Sequence, residues 1–174
     1  LIPITKLINI KPEEMKAIFL IAGNIIDIGV YEVLKDDNYV IDFYEHHIDM
    51  KYDYNMKQAE KVGMPVGTYI YSLATTTQQA MKEAQLAIKK MNGYKVSYPV
   101  VYDIEYEKMR SLSSTQIANL AKAFCNEVKK AGYYPMIYCN TDWYDNKLDW
   151  SKMTGYDVWL ARYGDTILAP NKKN

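Results

Sequence analysis

The sequence predicts an α/β fold built around a parallel β-sheet, and three observations support this prediction. First, short apolar runs typical of buried strands occur at residues 66–72, 99–105, 135–139 and 156–163. Second, amphipathic helix patterns with capping residues lie between most of these runs. Third, the chain has 174 residues, 49% of them hydrophobic and 24% charged, which is enough for one globular domain with a proper core.

The first 51 residues give fewer clear signals than the rest of the chain. Residues 12–17 predict a helical turn, because Pro12 suits the first position of a helix. Residues 18–23 form a continuous apolar run, which predicts a strand buried on both faces. The His46-His47 pair lies in a segment with poor alternation, where we expect a surface loop and neither catalysis nor metal binding.

The later elements are predicted from periodicity, caps and turn residues. The helix that begins near residue 52 stops at Gly63, with Pro65 just beyond it. A capping box at residues 113–116 opens the longest helix, and Gly132 ends it. In chain order the predicted elements are a helix at 52–62, a strand at 66–72, a helix capped at 75–77 and ending at 91, a strand at 99–105, a helix at 113–130, a strand at 135–139, a polar loop at 140–149 and a strand at 156–163.

Composition excludes several classes of partner. The 21 basic and 21 acidic residues cancel, so no global field favours nucleic acid or an anionic membrane. No run approaches the 18 apolar residues of a membrane span, and the opening residues make a poor signal peptide. Cys125 and Cys139 are expected to be buried thiols, and no zinc spacing appears, so neither a metal nor a cofactor is expected. The 17 tyrosines favour, weakly, a groove for polar ring-shaped ligands.

The most informative stretch is the strand at 99–105, which ends in two carboxylates, Asp103 and Glu105. Residues two apart in a strand point to the same face, so both acids are expected on one side of the sheet. Unpaired buried charge is costly, so a strand has no structural use for two acids on one face. The pair indicates either a functional site or two solvated side chains where the strand becomes a loop.

Other predicted strands also carry polar or aromatic groups near their carboxyl ends. Ligands of parallel α/β folds bind beyond these ends, so we expect such side chains to form one rim with the two acids. Besides Asp103 and Glu105, the rim residues are Tyr69, Tyr71, Tyr138, Asn140, Trp159 and Arg162.

Two carboxylates with aromatic walls point to glycoside hydrolysis, in which one acid protonates the leaving oxygen. Burial and the nearby Asp103 are expected to raise the pKa of Glu105, which suits a general acid. Acids on one strand lie on one side of the sugar and do not flank the bond. The spacing therefore fits a substrate-assisted reaction, in which an acetamido group of the sugar attacks and Asp103 orients it.

Four stretches of the chain, taken together, resemble one known family. They are V-G-T-Y-I-Y-S at 66–72, P-V-V-Y-D-I-E at 99–105, A-F-C-N-E-V-K-K-A-G-Y-Y-P-M-I-Y-C-N at 123–140 and Y-D-V-W-L-A-R-Y at 156–163. In this order they resemble glycoside hydrolase family 25, the Chalaropsis-type lysozymes of bacteria, phages and fungi. We expect residues 1–174 to form a single catalytic domain, in which 52–163 match clearly and 1–51 diverge.

The resemblance implies a modified TIM-type (β/α) barrel with N-acetylmuramidase activity on the β-1,4 bond between N-acetylmuramic acid and N-acetylglucosamine. Glu105 matches the family's general acid, and Asp103 matches the acid two residues before it. The implied partner is bacterial cell-wall peptidoglycan, reached by secretion, by attachment to the wall or by release at phage lysis. We expect a monomer that needs no metal. The positions that match aromatic residues around the sugar are Tyr69, Tyr71, Tyr138 and Trp159.

Two departures from the family leave alternatives open. The family's usual first strand, which reads G-[IV]-D-V-S and supplies an active-site Asp, has no counterpart, and the closing strands are missing after Tyr163. Aligning residues 19–23 with the family's second strand places the first strand before Leu1. The alternatives are a non-catalytic or incomplete cell-wall carbohydrate-binding domain, or a structural protein that does not contact carbohydrate.

Overall fold

The computed structural model describes residues 18–21, 32–33, 47–48 and 52–162. Within these ranges the chain forms short and long strands, α-helices and two turns of 3-10 helix. The strands are β1 (Ile18–Ile21), β2 (Glu32–Val33), β3 (His47–Ile48), β4 (Val66–Tyr71), β5 (Val100–Asp103), β6 (Pro135–Asn140) and β7 (Asp157–Ala161). The helices are α1 (Tyr52–Lys61), α2 (Thr77–Met91), α3 (Ser114–Lys130) and α4 (Thr141–Asn146), and the 3-10 turns are Glu107–Ser111 and Trp150–Lys152.

Five of these strands form one sheet in the order β1-β4-β5-β6-β7, and every neighbouring pair is parallel. The prediction of an α/β fold with a parallel sheet is therefore confirmed. β1 lies beside β4, which confirms the strand predicted from the apolar run at 18–23. Within the described residues β1 and β7 are the two edges of the sheet, so closure into a barrel stays an expectation drawn from the family.

Helices cover one face of this sheet. Side chains that point to that face, among them Ile70, Tyr102 and Ile137, are fully buried against residues of α2 and α3. The Tyr102 ring stacks on Phe124 of α3, with the ring centroids 4.2 Å apart and the planes 21° apart. The α1 helix covers the β4 side of the same face, where the Tyr52 hydroxyl lies 3.0 Å from Oγ1 of the buried Thr68. Burial of this apolar surface is the main favourable term in folding.

Local sequence signals define the ends of the helices. α2 and α3 both begin with complete capping boxes, Thr76 with Gln79 and Ser113 with Gln116, which satisfy backbone N–H groups that the first turn leaves without partners. Gly132 follows α3 with φ +84°, a conformation that favours glycine. The predicted limits of these helices are confirmed.

Two predictions about loops are wrong. The polar loop expected at 140–149 contains α4, because the Asn140 side chain caps a helical turn and accepts a hydrogen bond from the Trp143 N–H at 3.1 Å. Trp143 is 1% exposed, so tertiary burial outweighs the polar character of the segment. His47, expected in a loop, lies in β3 and pairs with Val33 of β2. The helical turn predicted at 12–17 lies outside the described residues.

Candidate active site

Four residues on neighbouring strands form a row across the sheet. Tyr71 of β4 is in register with Asp103 of β5, which is in register with Tyr138 of β6, and Tyr138 is in register with Trp159 of β7. Residues paired in this way point to the same side of a sheet, and here that side is the one opposite the helices. The sequence-predicted rim residues of these four strands are therefore brought together.

The strand that carries the acids ends earlier than predicted. β5 stops at Asp103, and Glu105 lies beyond it in an irregular segment. The Glu105 N–H donates a 3.0 Å hydrogen bond to Oδ1 of Asp103, a side-chain-to-backbone contact that turns the chain away from the sheet. The prediction that both acids lie on one strand is wrong for this reason. As a result, the Glu105 carboxylate turns toward β6.

Asp103 lies in a buried, polar position. Its side chain is only 3% exposed, and Oδ2 accepts a hydrogen bond from the Tyr69 hydroxyl of β4. Burial disfavours the ionised form and raises the pKa of Asp103 to about 7. The Tyr69 hydrogen bond opposes this rise, and the nearby Glu105 carboxylate adds to it. Near neutral pH this carboxyl can therefore both hold and release a proton.

Glu105 is half-buried and is held by the neighbouring strand. Its Oε1 accepts a hydrogen bond from the backbone N–H of Asn140 at the end of β6, and its own carbonyl lies 3.5 Å from the Tyr71 hydroxyl. Partial burial raises the pKa of Glu105, while the Asn140 N–H and the charge of Arg110 oppose the rise. The carboxyl therefore keeps its proton to a higher pH than an exposed glutamate.

Three aromatic rings form a wall beside Asp103. Tyr69, Tyr138 and Trp159 contact one another edge to face, with centroid distances of 5.2–6.5 Å. Tyr69 and Tyr138 are buried, whereas Trp159 is partly exposed, as is Tyr71 on the other side of Asp103. The two buried tyrosines therefore support the wall, and the partly exposed rings are the ones that a ligand can reach.

The other two predicted rim residues lie at the ends of β6 and β7. Asn140 is the last residue of β6, and its side chain caps α4 while its N–H binds Glu105. Arg162 follows the last residue of β7 and is exposed. Both residues lie at the carboxyl end of the sheet, as predicted, and their contact with substrate stays a prediction.

Glu83 on α2 was missed by the sequence reasoning. It is 1% exposed, and its carboxylate lies 2.7 Å from the Ser72 hydroxyl and accepts the Leu73 N–H at 2.8 Å. The Ser72 N–H in turn donates to the Asp103 carbonyl at 2.9 Å. Glu83 thus anchors the end of β4 against the end of β5. The available signal was an acid at an inward position of an otherwise apolar helix face, three residues after Ala80.

Neither a metal centre nor a reactive thiol is seen in the part of the chain that the structure describes. No group of three or more His, Cys, Asp or Glu side chains lies close enough to hold a metal ion within those ranges. Cys125 and Cys139 are free and buried, as predicted, and burial raises the pKa of both thiols. Among the described helices, none has the length and apolar character needed to cross a bilayer.

Comparison with known proteins decides the family of this domain. A sequence profile described as "Glycosyl hydrolases family 25" matches residues 45–173, which is most of the chain. The chain belongs to glycosyl hydrolases family 25. The resemblance drawn from the four sequence stretches is thereby confirmed, and the profile extends it by ten residues beyond Tyr163.

Individual relatives of this family 25 domain are longer proteins. It is 28% identical over 113 residues to a Streptococcus phage B30 protein named D-alanyl-L-alanine endopeptidase, a match that covers 63% of this chain and 25% of that protein. Its fold is similar to that of the CTP1L endolysin, with 26% identity, a TM-score of 0.61 and coverage of 72% of this chain and 43% of that one. The fold is also similar to the modular autolysin LytC from Streptococcus pneumoniae in complex with a synthetic peptidoglycan ligand, with 22% identity, a TM-score of 0.64 and coverage of 72% and 31%. The chain therefore spans less than half the length of each of these proteins.

Proposed function

We propose that this family 25 domain hydrolyses bacterial peptidoglycan as an N-acetylmuramidase, cutting the β-1,4 bond between N-acetylmuramic acid and N-acetylglucosamine. One observation carries the proposal: two carboxyl groups with raised pKa values, Asp103 and Glu105, lie at the end of β5 beside an aromatic wall. Glycoside hydrolysis requires one carboxyl group that donates a proton and a second that acts as a carboxylate, and neighbouring apolar rings help to set these states. Membership of the family gives the reaction class.

Glu105 is proposed as the general acid. Its raised pKa keeps a proton on the carboxyl to a higher pH than on an exposed glutamate. In the reaction this proton moves to the glycosidic oxygen as the bond from that oxygen to the anomeric carbon breaks. The leaving sugar therefore departs as a neutral alcohol, and Glu105 is left as a carboxylate.

Asp103 is proposed to orient the acetamido group of the substrate. Asp103 lies two residues before Glu105 and accepts its backbone N–H through Oδ1, a local placement that favours orienting the substrate over direct attack on the sugar. Instead the acetamido oxygen attacks the anomeric carbon, and Asp103 accepts the hydrogen bond of the amide N–H. A water molecule then adds at the anomeric carbon, releases the acetamido group and returns a proton to Glu105.

The aromatic residues are proposed to bind the sugar rings. Tyr71 and Trp159 are partly exposed at the two ends of the row that contains Asp103, and flat apolar faces of this kind stack on sugar rings. Tyr69 and Tyr138 are buried; both contact the Trp159 ring edge to face, and Tyr69 also binds Asp103. Asn140 and Arg162 complete the rim at the ends of β6 and β7.

The setting of the reaction follows from the relatives. Two of them are named an endolysin and an autolysin, so we propose that this domain acts at the cell wall, reached by secretion or by release at lysis. We further propose that residues 1–174 form one monomeric domain and that its sheet closes into the modified barrel of the family. The fold similarity to both proteins supports this architecture.

The test is to incubate the purified chain with purified peptidoglycan and to measure new reducing ends. We expect the parent to release them and Glu105→Gln to release at least about a hundredfold fewer, since a general acid contributes on that scale. Glu60→Gln, which changes an exposed acid on α1, is the matched control and should keep the parent rate.

Two outcomes would contradict the proposal. Equal rates for the parent and Glu105→Gln would remove Glu105 as the acid. Cosedimentation with peptidoglycan without any new reducing ends would favour the alternative of a non-catalytic wall-binding domain. The name of the phage B30 relative adds a third measurement, the release of new amino termini, which this proposal expects to be absent.

A further inference from the structure

The segments that follow β5 and β6 are connected at two separate places. The first is the hydrogen bond from the Asn140 N–H to Glu105, which joins the segment after β5 to the last residue of β6. The second lies further along both segments, between the 3-10 turn Glu107–Ser111 and α4, and it is made by Arg110. Glu105 therefore lies in a segment that contacts the β6 side twice, first through its own carboxylate and then, a few residues later, mainly through the Arg110 side chain.

The Arg110 side chain makes three contacts at this second place. Its Nε donates to Oε2 of Glu107 at 2.9 Å, and its Nη2 donates to Oδ2 of Asp142 on α4 at 2.8 Å. Its guanidinium lies over the ring of Trp143, with Cζ 4.9 Å from the ring centroid. The Arg110 carbonyl also accepts a 3.4 Å hydrogen bond from Lys147. Such planar, two-directional contacts suit arginine and cannot be reproduced by the single ammonium of lysine.

Trp143 connects this arginine to the amide that binds the acid. The tryptophan is 1% exposed and is therefore fixed in the core, and its backbone N–H binds Oδ1 of Asn140 at 3.1 Å. Asn140 holds Trp143 through its side chain and Glu105 through its backbone N–H. Movement of α4 away from the 3-10 turn would therefore displace the donor that faces the Glu105 carboxylate.

We propose that Arg110 is a positioning residue that clasps α4 to the 3-10 turn and so holds the Asn140 N–H against the carboxylate of Glu105. Its effect on reaction rate rests on the proposed function, whereas its effect on the Asn140 amide does not. Arg110 has no part in the chemistry itself. Because hydrogen-bond geometry at a reacting group is sensitive to displacements of about 1 Å, loosening this clasp should lower the rate constant more than it weakens binding.

A second, through-space effect of the guanidinium has to be separated from the clasp. The charge of Arg110 lowers the pKa of Glu105, so its removal acts on the acid even if nothing moves. Among the residues that the structure describes, the other titratable groups that interact with Glu105 are Tyr69 and Tyr71 of β4, Asp103 at the end of β5 and Cys139 of β6. None of them belongs to the clasp, so variants at position 110 leave them in place.

The experiment compares Arg110→Lys with Arg110→Gln. The lysine keeps the positive charge but lacks the planar guanidinium that binds Glu107 and Asp142 together, whereas the glutamine lacks both the charge and the guanidinium. Lys130→Gln, which breaks the exposed 2.6 Å ion pair with Glu127 on α3, is the matched control. Two readouts are needed: the hydrogen exchange of the Asn140 amide by NMR, and kcat and KM for the release of reducing ends. The pH profile of kcat is recorded for each variant.

We expect the Asn140 amide to exchange about tenfold faster in both Arg110 variants, and kcat to fall about threefold to tenfold with KM within about twofold of the parent. Only Arg110→Gln should also raise the pKa of Glu105, and so shift to higher pH the part of the kcat profile in which Glu105 loses its proton. Parent-like Asn140 exchange and kcat in Arg110→Lys would overturn the proposal, because charge alone would then explain the residue. A lower melting temperature with unchanged exchange and kcat at 25 °C would also overturn it. If the parent releases no reducing ends, the proposed function fails. The exchange rate of the Asn140 amide then tests by itself whether Arg110 holds this amide in place.

Discussion

The hydroxyl of Tyr69 donates a hydrogen bond to Oδ2 of Asp103 and so joins β4 to β5 at the centre of the candidate site. Tyr69 is 7% exposed, and its ring is held by edge-to-face contacts with Tyr138 and Trp159. This bond favours the ionised form of Asp103, whereas burial favours the protonated form. The charge of Asp103 near neutral pH therefore depends in part on the Tyr69 hydroxyl, which opposes the effect of burial.

Removing the Tyr69 hydroxyl should shift the acidic limb of the kcat–pH profile to higher pH. In Tyr69→Phe the ring packing remains, but the pKa of Asp103 should rise further above about 7, because the opposing hydrogen bond is lost. Since the proposed reaction needs ionised Asp103, we expect kcat at pH 6 to fall roughly threefold to tenfold and to recover partly at pH 8. The pH profile of reducing-end release measures this. Tyr134→Phe, which removes an exposed hydroxyl bound to Asp157 at 2.6 Å, should leave the profile unchanged.

The raised pKa of Asp103 also predicts how stability changes with pH. The group titrates near 3.8 when unfolded and near 7 when folded, so between these values the folded state binds more protons than the unfolded state. The free energy of unfolding contributed by Asp103 therefore decreases as pH rises from about 4 to about 7 and is constant above that. Asp103→Asn removes this loss and should be the more stable protein at pH 8, by at most about 4 kcal/mol.

Urea unfolding at pH 4 and pH 8 tests this. The stability difference between Asp103→Asn and the parent should grow in favour of the variant as pH increases. An equal difference at the two pH values would show that Asp103 does not titrate as burial requires. The same comparison with Glu60→Gln, where the acid is exposed, should give a difference within about 0.5 kcal/mol at both values.

Glu83 is expected to contribute to the stability of the fold. Glu83→Ala removes the acceptor of the Leu73 N–H and one partner of the buried Ser72 hydroxyl, which also lies 2.8 Å from the Tyr102 hydroxyl. We expect it to lower the free energy of unfolding by about 2 kcal/mol. Glu83→Gln keeps one acceptor oxygen, so we expect it to lower the free energy of unfolding by about half as much as the alanine variant. Urea denaturation measures both. An alanine variant within about 0.5 kcal/mol of the parent would mean that water or another group replaces the carboxylate.

The two cysteines should not react in the folded protein. Cys125 and Cys139 are both 0% exposed, and burial raises the pKa of Cys125 to about 12 and that of Cys139 as well. We expect a thiol reagent to label neither residue at pH 8 before urea unfolds the chain, and alkylating agents to leave the release of reducing ends unchanged. Rapid labelling of the native protein together with loss of activity would instead indicate a thiol-dependent reaction.

Much of the fold could be predicted because its signals are local. The capping boxes at Thr76 and Ser113 and the glycine at 132 define helix ends within a few residues of sequence. The sheet strands follow from apolar runs, which parallel packing requires. α4 could not be predicted in this way, because its sequence is polar and its helix depends on Asn140 as a cap and on burial of Trp143.

The candidate site could be predicted in part for a similar reason. Strand order and period two bring Tyr71, Asp103, Tyr138 and Trp159 into one row, so their grouping follows from topology. The turn at Glu105 does not, because a side chain, not the backbone pattern, ends β5. The helical period marks Glu83 as an inward-facing acid, but it does not identify its partner Ser72, and no periodic pattern pairs Arg110 with Asp142.

The two oxygens of Asp103 have different partners, and for this reason the charge of Asp103 can change without a change in the geometry of the site. Oδ1 accepts the Glu105 N–H, and a carboxyl oxygen can accept that bond whether or not the group carries a proton. Oδ2 faces the Tyr69 hydroxyl, which can donate to a carboxylate or accept from a carboxylic acid. Both contacts therefore persist through the titration of Asp103, so that a proton can arrive and leave while the bend carrying Glu105 stays where it is.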